Sequence, residues 1–256
     1  MSNDEFNLQF PHRGTGLDQD EEFCTMEVGE CTRRIRFHDY HEIYQVEGLY
    51  EHLFYDVLKC DSPRTVCRKV SEVAEASEIE PRSLRVLDIG AGNGMVGQEL
   101  REMGAETVIG VDIIPEARDA QLRDRPGVYD RYFVEDLTAL PRTASHALEA
   151  AGLNCMTTVA ALGFGDIPPR AFSEGFNLIE DGGIIAFNIR DKFVEHEGAS
   201  AFSALIEAIE HEGILDVQVK EKYRHRLDID RNPLYYYVIA GIKAHDIPGD
   251  LVGAFE

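Results

Sequence analysis

No stretch of this sequence is apolar for long enough to span a bilayer, so no membrane-crossing helix is expected. The first residues, MSNDEFNLQFPHRGTG, lack the basic segment and apolar core of a secretory signal, and a cytoplasmic location is expected. Cysteine is sparse. Cys24, Cys31, Cys60, Cys67 and Cys155 are odd in number and make no dense framework, as suits a reducing compartment. The pairs Cys24/Cys31 and Cys60/Cys67 enclose wider gaps than the pairs of ordinary zinc sites, so free thiols and no metal site are expected. Positive charge is scarce too. Lys and Arg number 25 against 47 Asp and Glu, a formal charge of −22. A field of that sign repels a phosphate backbone, so nucleic acid is not an expected partner unless a local basic patch overrides it. The acid excess fits equally a solvated acidic surface or a high-salt habitat. There is no internal repeat and no low-complexity tract.

What is present is a chain of 256 residues with 44% hydrophobic and 28% charged content, enough for one large α/β domain with a small appendage. Residues 1–33 are acidic and irregular and read as a flexible arm. From about Arg36 to residue 80 the pattern is helical. Leu49, Leu53, Phe54 and Val57 share one face, and Asp61-Ser62-Pro63 opens a second helix marked by Val66, Val70, Val73 and Ala74. This preface reads as a lid. Over residues 81–246 strands alternate with helices, the signature of a parallel sheet covered on both faces. The predicted strands are Leu84–Ile89, Thr107–Val111, Tyr129–Val134, Cys155–Leu162 and Gly183–Ile189. Helices fall at Met95–Met103, from Pro115, at Ser145–Ala151, Pro168–Ile179 and Ala201–His211. The end differs: Leu215–Tyr223 and Leu234–Ala244 are strands with only HRLDIDRNP between them, so they must pair antiparallel. Residues 247–256 form a tail.

The segment VLDIGAGNGMVGQEL, a strand, a glycine loop and a helix, satisfies G-x-G-x-x-G, a pattern shared by several nucleoside cofactors. Asp88 stands just before Gly90. A dinucleotide would bring its pyrophosphate to this loop, where a carboxylate opposes it; S-adenosylmethionine would bring a sulfonium and an ammonium, which a carboxylate favours. Asp112, ending the second strand, can accept from both ribose hydroxyls of either cofactor. Asp136 at the end of the third strand either accepts from an adenine amino group, with Leu137 against the ring, or caps a helix.

VLDIGAGNG and VIGVDII resemble the first two motifs of class I S-adenosylmethionine-dependent methyltransferases, over roughly residues 84–245. ALGFGDIPPRAFSEGFNLIEDGGIIAFNIRDKF further resembles the methyltransferase-like proteins of the Williams-Beuren syndrome region, although the histidine these often carry near Phe164 is missing here. The class resemblance implies a doubly wound α/β fold with a seven-stranded sheet ordered 3-2-1-4-5-7-6, strand 7 antiparallel. It implies that Asp88 and the loop Gly90, Ala91, Gly92, Asn93 and Gly94 hold the methionine end of S-adenosylmethionine. Asp112 and Ile113 would serve the ribose, Glu135, Asp136 and Leu137 the adenine, and Ala160 and Leu162 would border the methyl.

Methyl transfer needs mainly alignment in a water-poor pocket, so the acceptor leaves little mark in a sequence. A small-molecule oxygen or nitrogen is expected. Tyr40 and Tyr44 of the lid are expected to meet the cofactor, and His38 and His41 are candidate bases, although this stretch, with Tyr50 and His52, reads also as an ordinary half-buried face. Arg190 and Asp191, after the fifth strand, either bind a charged acceptor or pair with each other. Asn232-Pro233-Leu234-Tyr235 is similar to a nitrogen-methylating signature, but that signature belongs after strand 4, so here it is a turn. Two rivals remain at this point: a nicotinamide-dependent oxidoreductase, and a cofactor-binding protein that acts as a non-catalytic partner.

Overall fold

The structure is a computed structural model, and it describes residues 6–12, 14, 16–28, 31–162, 166–195 and 201–255. Strands β1 (Phe23–Val28) and β2 (Cys31–Arg36) form an antiparallel hairpin. Short helices α1 (Tyr40–Tyr44) and α2 (Leu49–Glu51) follow, the latter continuing as a π-helical turn over His52–Val57, and then α3 (Ser62–Ala76). The alternating part comprises β3 (Arg85–Ile89), α4 (Met95–Met103), β4 (Thr107–Asp112), α5 (Pro115–Asp124), β5 (Arg131–Val134), α6 (Arg142–Glu149), β6 (Cys155–Thr158), α7 (Pro169–Asn177) and β7 (Ile184–Arg190). After α8 (Asp191–Glu195) and α9 (Ala201–His211) come the long strands β8 (Leu215–Leu227) and β9 (Pro233–Lys243) and a last turn of helix, α10 (Gly249–Gly253).

The large sheet runs β5-β4-β3-β6-β7-β9-β8, with β9 antiparallel to both neighbours. Counted from β3 as its first strand, that is the expected order 3-2-1-4-5-7-6. The fold is the expected doubly wound α/β class. Strand parity fills two layers. Leu87 and Ile89 face one layer with Phe172, Phe176 and Phe187, while Val86 faces the other with Val66, Val70 and Leu100. Both faces are covered, which is why the strands are apolar almost without interruption. Among the described residues no helix is long and apolar enough to cross a membrane.

Three expectations need correction. Part of the acidic arm is ordered structure. Its period-two residues Cys24 and Met26, with Ile35 and Phe37 of the returning segment, are buried in a third cluster beside Ile43, Leu49 and Leu53. Helix does not begin at Arg36, because β2 runs to that residue and the chain turns before Tyr40. Strand β6 stops at Thr158 instead of Leu162, because Ala160 adopts a left-handed φ of 58°.

The N-terminal hairpin is fastened to the large sheet by charge. Glu22 and Arg226 form an ion pair in which both side chains are almost wholly buried. Glu22 also accepts from the Ile229 N–H at 2.8 Å, and Arg226 donates to the Leu227 carbonyl at 2.8 Å. Removing one partner strands the other charge out of water. Glu22→Ala should therefore lower the unfolding free energy by about 3–5 kcal/mol. The apolar double variant Glu22→Leu/Arg226→Met should recover most of that loss in urea denaturation. Equal instability of the two would mean that shape, not charge, fastens the hairpin.

Candidate active site

A cavity of about 190 Å³ opens at the carboxyl ends of β3, β4 and β6, roofed by Tyr40, Tyr44 and Tyr50. This is where sheet order reverses direction and the loops diverge. Gly90 and Ile89 form its floor, Asp112 and Ile113 one wall, Glu135, Asp136 and Leu137 the far end, and Ala160, Asp166 and Ile167 the near end.

Asp112 shapes this space. Its Oδ2 accepts from the Gly92 N–H and its Oδ1 from the Ile114 N–H, both at 2.9 Å. Burial raises its pKa, against the lowering effect of those amides. Asp136 caps, as one of its two readings expected. It lines the cavity, and its Oδ1 caps the turn Leu137–Ala139, accepting from the Thr138 N–H at 2.8 Å and hydroxyl at 2.7 Å. Ile113 is 62% exposed at the cavity mouth, an unusual position for a large apolar side chain. Asp166 was not anticipated. Its carboxyl is pushed up by burial and held down by His38, whose Nδ1 lies 4.0 Å from Oδ2.

Of the expected residues, Gly90, Asp112, Ile113, Glu135, Asp136, Leu137, Ala160, Tyr40 and Tyr44 line the cavity together. The rest of the glycine loop does not. Gly92 is covered by Tyr44, whose hydroxyl lies 2.5 Å from where a Cβ would be, and its own φ is 52°. The Tyr132 hydroxyl donates to the Gly92 carbonyl at 2.8 Å. Ala91 is buried beneath. Asn93 donates to Glu51 Oε1 at 2.6 Å and so ties the loop to α2, while Gly94 starts α4 with φ 90°. Leu162 is buried in the core.

Asp88 faces away from the cavity. It shares its side of β3 with Val86, where it accepts from the hydroxyls of Tyr129 and Thr157, both at 2.7 Å. Burial pushes its pKa up to about 7, although both hydrogen bonds favour the charged form.

The histidines separate. His41 points to solvent, because Ile43 and Tyr44 occupy the buried face of α1. His38 lies inward, its ring 5.8 Å from that of Tyr40, and lines a second, smaller chamber. Burial lowers its pKa from the ordinary 6.5, with Asp166 acting against this. Arg190 and Asp191 are not among the described residues lining the cavity. Arg190 pairs with Asp18 at 3.4 Å and Asp191 with Lys222 at 2.8 Å. Asn232 and Pro233 are a turn: the Asn232 N–H donates to Asp228 Oδ1 at 2.7 Å. Cys24, Cys60, Cys67 and Cys155 are free thiols, and the described residues hold no cluster suited to a metal. Residues near Phe164 lie outside the described residues.

A family model described as a methyltransferase domain matches residues 61–226. The chain belongs to this methyltransferase family. Among solved structures, the N-methyltransferase NodS from Bradyrhizobium japonicum, in complex with S-adenosyl-L-homocysteine, is similar with a TM-score of 0.54 at 12% identity, covering 81% of this chain and 97% of that one. Magnesium protoporphyrin IX methyltransferase from Synechocystis, with bound S-adenosylmethionine, is similar with a TM-score of 0.50 at 14% identity, covering 71% of this chain and 79% of that one. None of the curated proteins matches this sequence.

The placement of Asp88 gives this methyltransferase a pH signature. An aspartate ionises near its ordinary 3.8 in the unfolded chain but near 7 when folded. Between those values the folded state binds the extra proton. Its stability must fall as pH rises through that window and level off above it. Asp88→Asn removes the term. The melting temperature of this variant relative to the parent should therefore rise from pH 5 to pH 8. Parallel melting profiles across that range would show that Asp88 does not retain its proton on folding.

Proposed function

We propose that this methyltransferase uses S-adenosylmethionine to methylate an oxygen or nitrogen of a small-molecule acceptor. The observation that carries the reading is the charge of the cavity. Asp112, Glu135, Asp136 and Asp166 line it, and the described lining residues include no Lys, Arg or His. A dinucleotide pyrophosphate would enter against four carboxylates, whereas a ligand with a sulfonium and an ammonium is attracted by them. That weighs against the nicotinamide reading more heavily than the glycine loop does. The resemblance to the Williams-Beuren subgroup adds no acceptor to this picture.

The chemistry of the lining residues supports this cofactor. Each Asp112 oxygen accepts one backbone N–H and retains a lone pair, so the carboxylate can also take two vicinal ribose hydroxyls. Exposed Ile113 and buried Leu137 would supply apolar surface for a purine, and Asp136 and Glu135 would offer acceptors to its amino group. Gly90, with φ 70°, lets the backbone approach the ligand. When bound, the cofactor would supply a methyl group activated by its sulfonium for an acceptor lone pair to take. His38, whose neutral form burial favours, stands beside Asp166 and would take the acceptor's proton. The acidic surface favours a small acceptor over nucleic acid.

Calorimetry tests the reading. S-adenosylhomocysteine should bind, NADH should not, and Asp112→Ala should weaken S-adenosylhomocysteine by about 1–3 kcal/mol. Tight NADH binding with no S-adenosylhomocysteine binding would end the proposal. Binding without turnover on a broad acceptor panel would instead favour a non-catalytic partner.

A further inference from the structure

Behind the tyrosines, sharing Tyr40, Tyr50 and Ala160 with the main cavity, is a chamber of about 30 Å³. It admits a small polar head and not a whole ring. Gln19 reaches into it from the N-terminal arm. The side chain is 6% exposed, and its Nε2 donates to the Tyr236 hydroxyl at 2.8 Å. Its Oε1 is buried with no hydrogen-bond partner. A buried carbonyl oxygen left unpaired is costly, and a ligand's N–H or O–H would relieve that cost.

The opposite wall is set by a chain of hydrogen bonds. The Ala160 N–H must meet an acceptor, and it meets Asn188 Oδ1 at 2.6 Å, which fixes the amide orientation. Asn188 Nδ2 then donates to the Tyr223 hydroxyl oxygen at 2.6 Å. The Tyr223 hydroxyl shares a hydrogen bond with Ser62 Oγ at 2.7 Å, and Ser62 Oγ shares another with His225 Nδ1 at 2.6 Å. These contacts hold the His225 ring in place through Nδ1. Burial, with Arg226 adding to it, drives its pKa well below the ordinary 6.5, so the ring is neutral. Among the described lining residues the strong charge is Arg226, and Glu22 already matches it. An anion finds no spare cation there, and a cation would meet Arg226 with no spare carboxylate.

We infer that this chamber is the acceptor's recognition site, and that it takes a neutral hydroxyl or carboxamide group that donates a hydrogen bond to Gln19 Oε1. The inference rests on the methyltransferase reading above for its link to turnover. Ala160 separates the chamber from the main cavity, so a group seated here holds the rest of the acceptor against the tyrosine roof.

Ligand-observed NMR on protein saturated with S-adenosylhomocysteine tests this with phenol, benzamide, toluene, benzoate and benzylammonium. Phenol and benzamide should bind. Toluene should bind about five- to tenfold more weakly, for the one lost hydrogen bond, and the two charged probes more weakly still. Gln19→Leu should abolish the preference for phenol over toluene while S-adenosylhomocysteine affinity stays at the parent's value. Gln19→Met is a second variant if the first does not fold, and the parent's ranking of probes stands without either. Absence of phenol and benzamide binding, benzoate or benzylammonium binding as well as benzamide, or an unchanged preference in the variants would overturn the inference. Failure of S-adenosylhomocysteine to bind the parent would instead strike the cofactor reading, and probe binding without cofactor would then judge the chamber alone.

Discussion

The carboxylate of Asp112 holds the site together. The loop after β3 and the turn after β4 both need acceptors for backbone N–H groups that point inward. Asp112 supplies one oxygen to Gly92 and the other to Ile114. Buried backbone donors without partners are rare because each costs as much as a lost hydrogen bond. The Gly90 and Ala91 N–H groups already reach the Val111 carbonyl beyond the paired strands, and the Asp112 side chain carries the link between the two loops one step further. The positive φ at Gly90 and Gly92 lets the first loop curl close enough to reach it. Tyr44 then closes over Gly92, and Asn93 and Arg125 both donate to Glu51, which brings the N-terminal helices down on the same loop.

This arrangement is electrostatically one-sided. Burial raises the pKa of Asp112 and of Asp166, so the protein alone gives these charges less stabilisation than water would. A cationic ligand would oppose that effect, since positive charge beside a carboxylate draws its pKa down. The acidic lining is thus unfavourable to the empty fold and would favour a ligand with positive charge at one end. The apolar Ile113 at the mouth follows the same logic, since its exposed surface is an expense only until a flat ring covers it.

The parts of this molecule written in local sequence were legible. Strand and helix periodicity located β3, α4 and α9, and the short HRLDIDRNP linker forced the antiparallel end of the sheet. The residues at strand ends, Asp112 and Asp136, were found because topology places such ends around one cleft. Asp88 was misplaced although the signal was available. In a strand its side chain must share a face with Val86, opposite Leu87 and Ile89, and only the latter face reaches the cavity floor. The β1–β2 hairpin was hidden by its charges. Its alternation of Glu22, Cys24 and Met26 looks acidic and irregular until Arg226 is known to face Glu22. Gln19, His225 and Tyr236 could not be joined from sequence, because the arm and the two last strands meet only after the sheet is complete.

Ala160 shows how the two cavities come to be neighbours and yet separate. A continued strand β6 would have filled the space between them with alternating side chains. Instead the chain leaves the sheet after Thr158 and turns through a left-handed conformation that an alanine adopts at some cost. That cost is met by Asn188, which lies on β7 opposite Val238 and accepts the Ala160 N–H. The same asparagine directs its other end along Tyr223 and Ser62 to His225. One side chain therefore contacts both the bend at Ala160 and the hydrogen-bond chain that ends on the wall of the small chamber, so the proposed donor and acceptor sites share Asn188 as a common support.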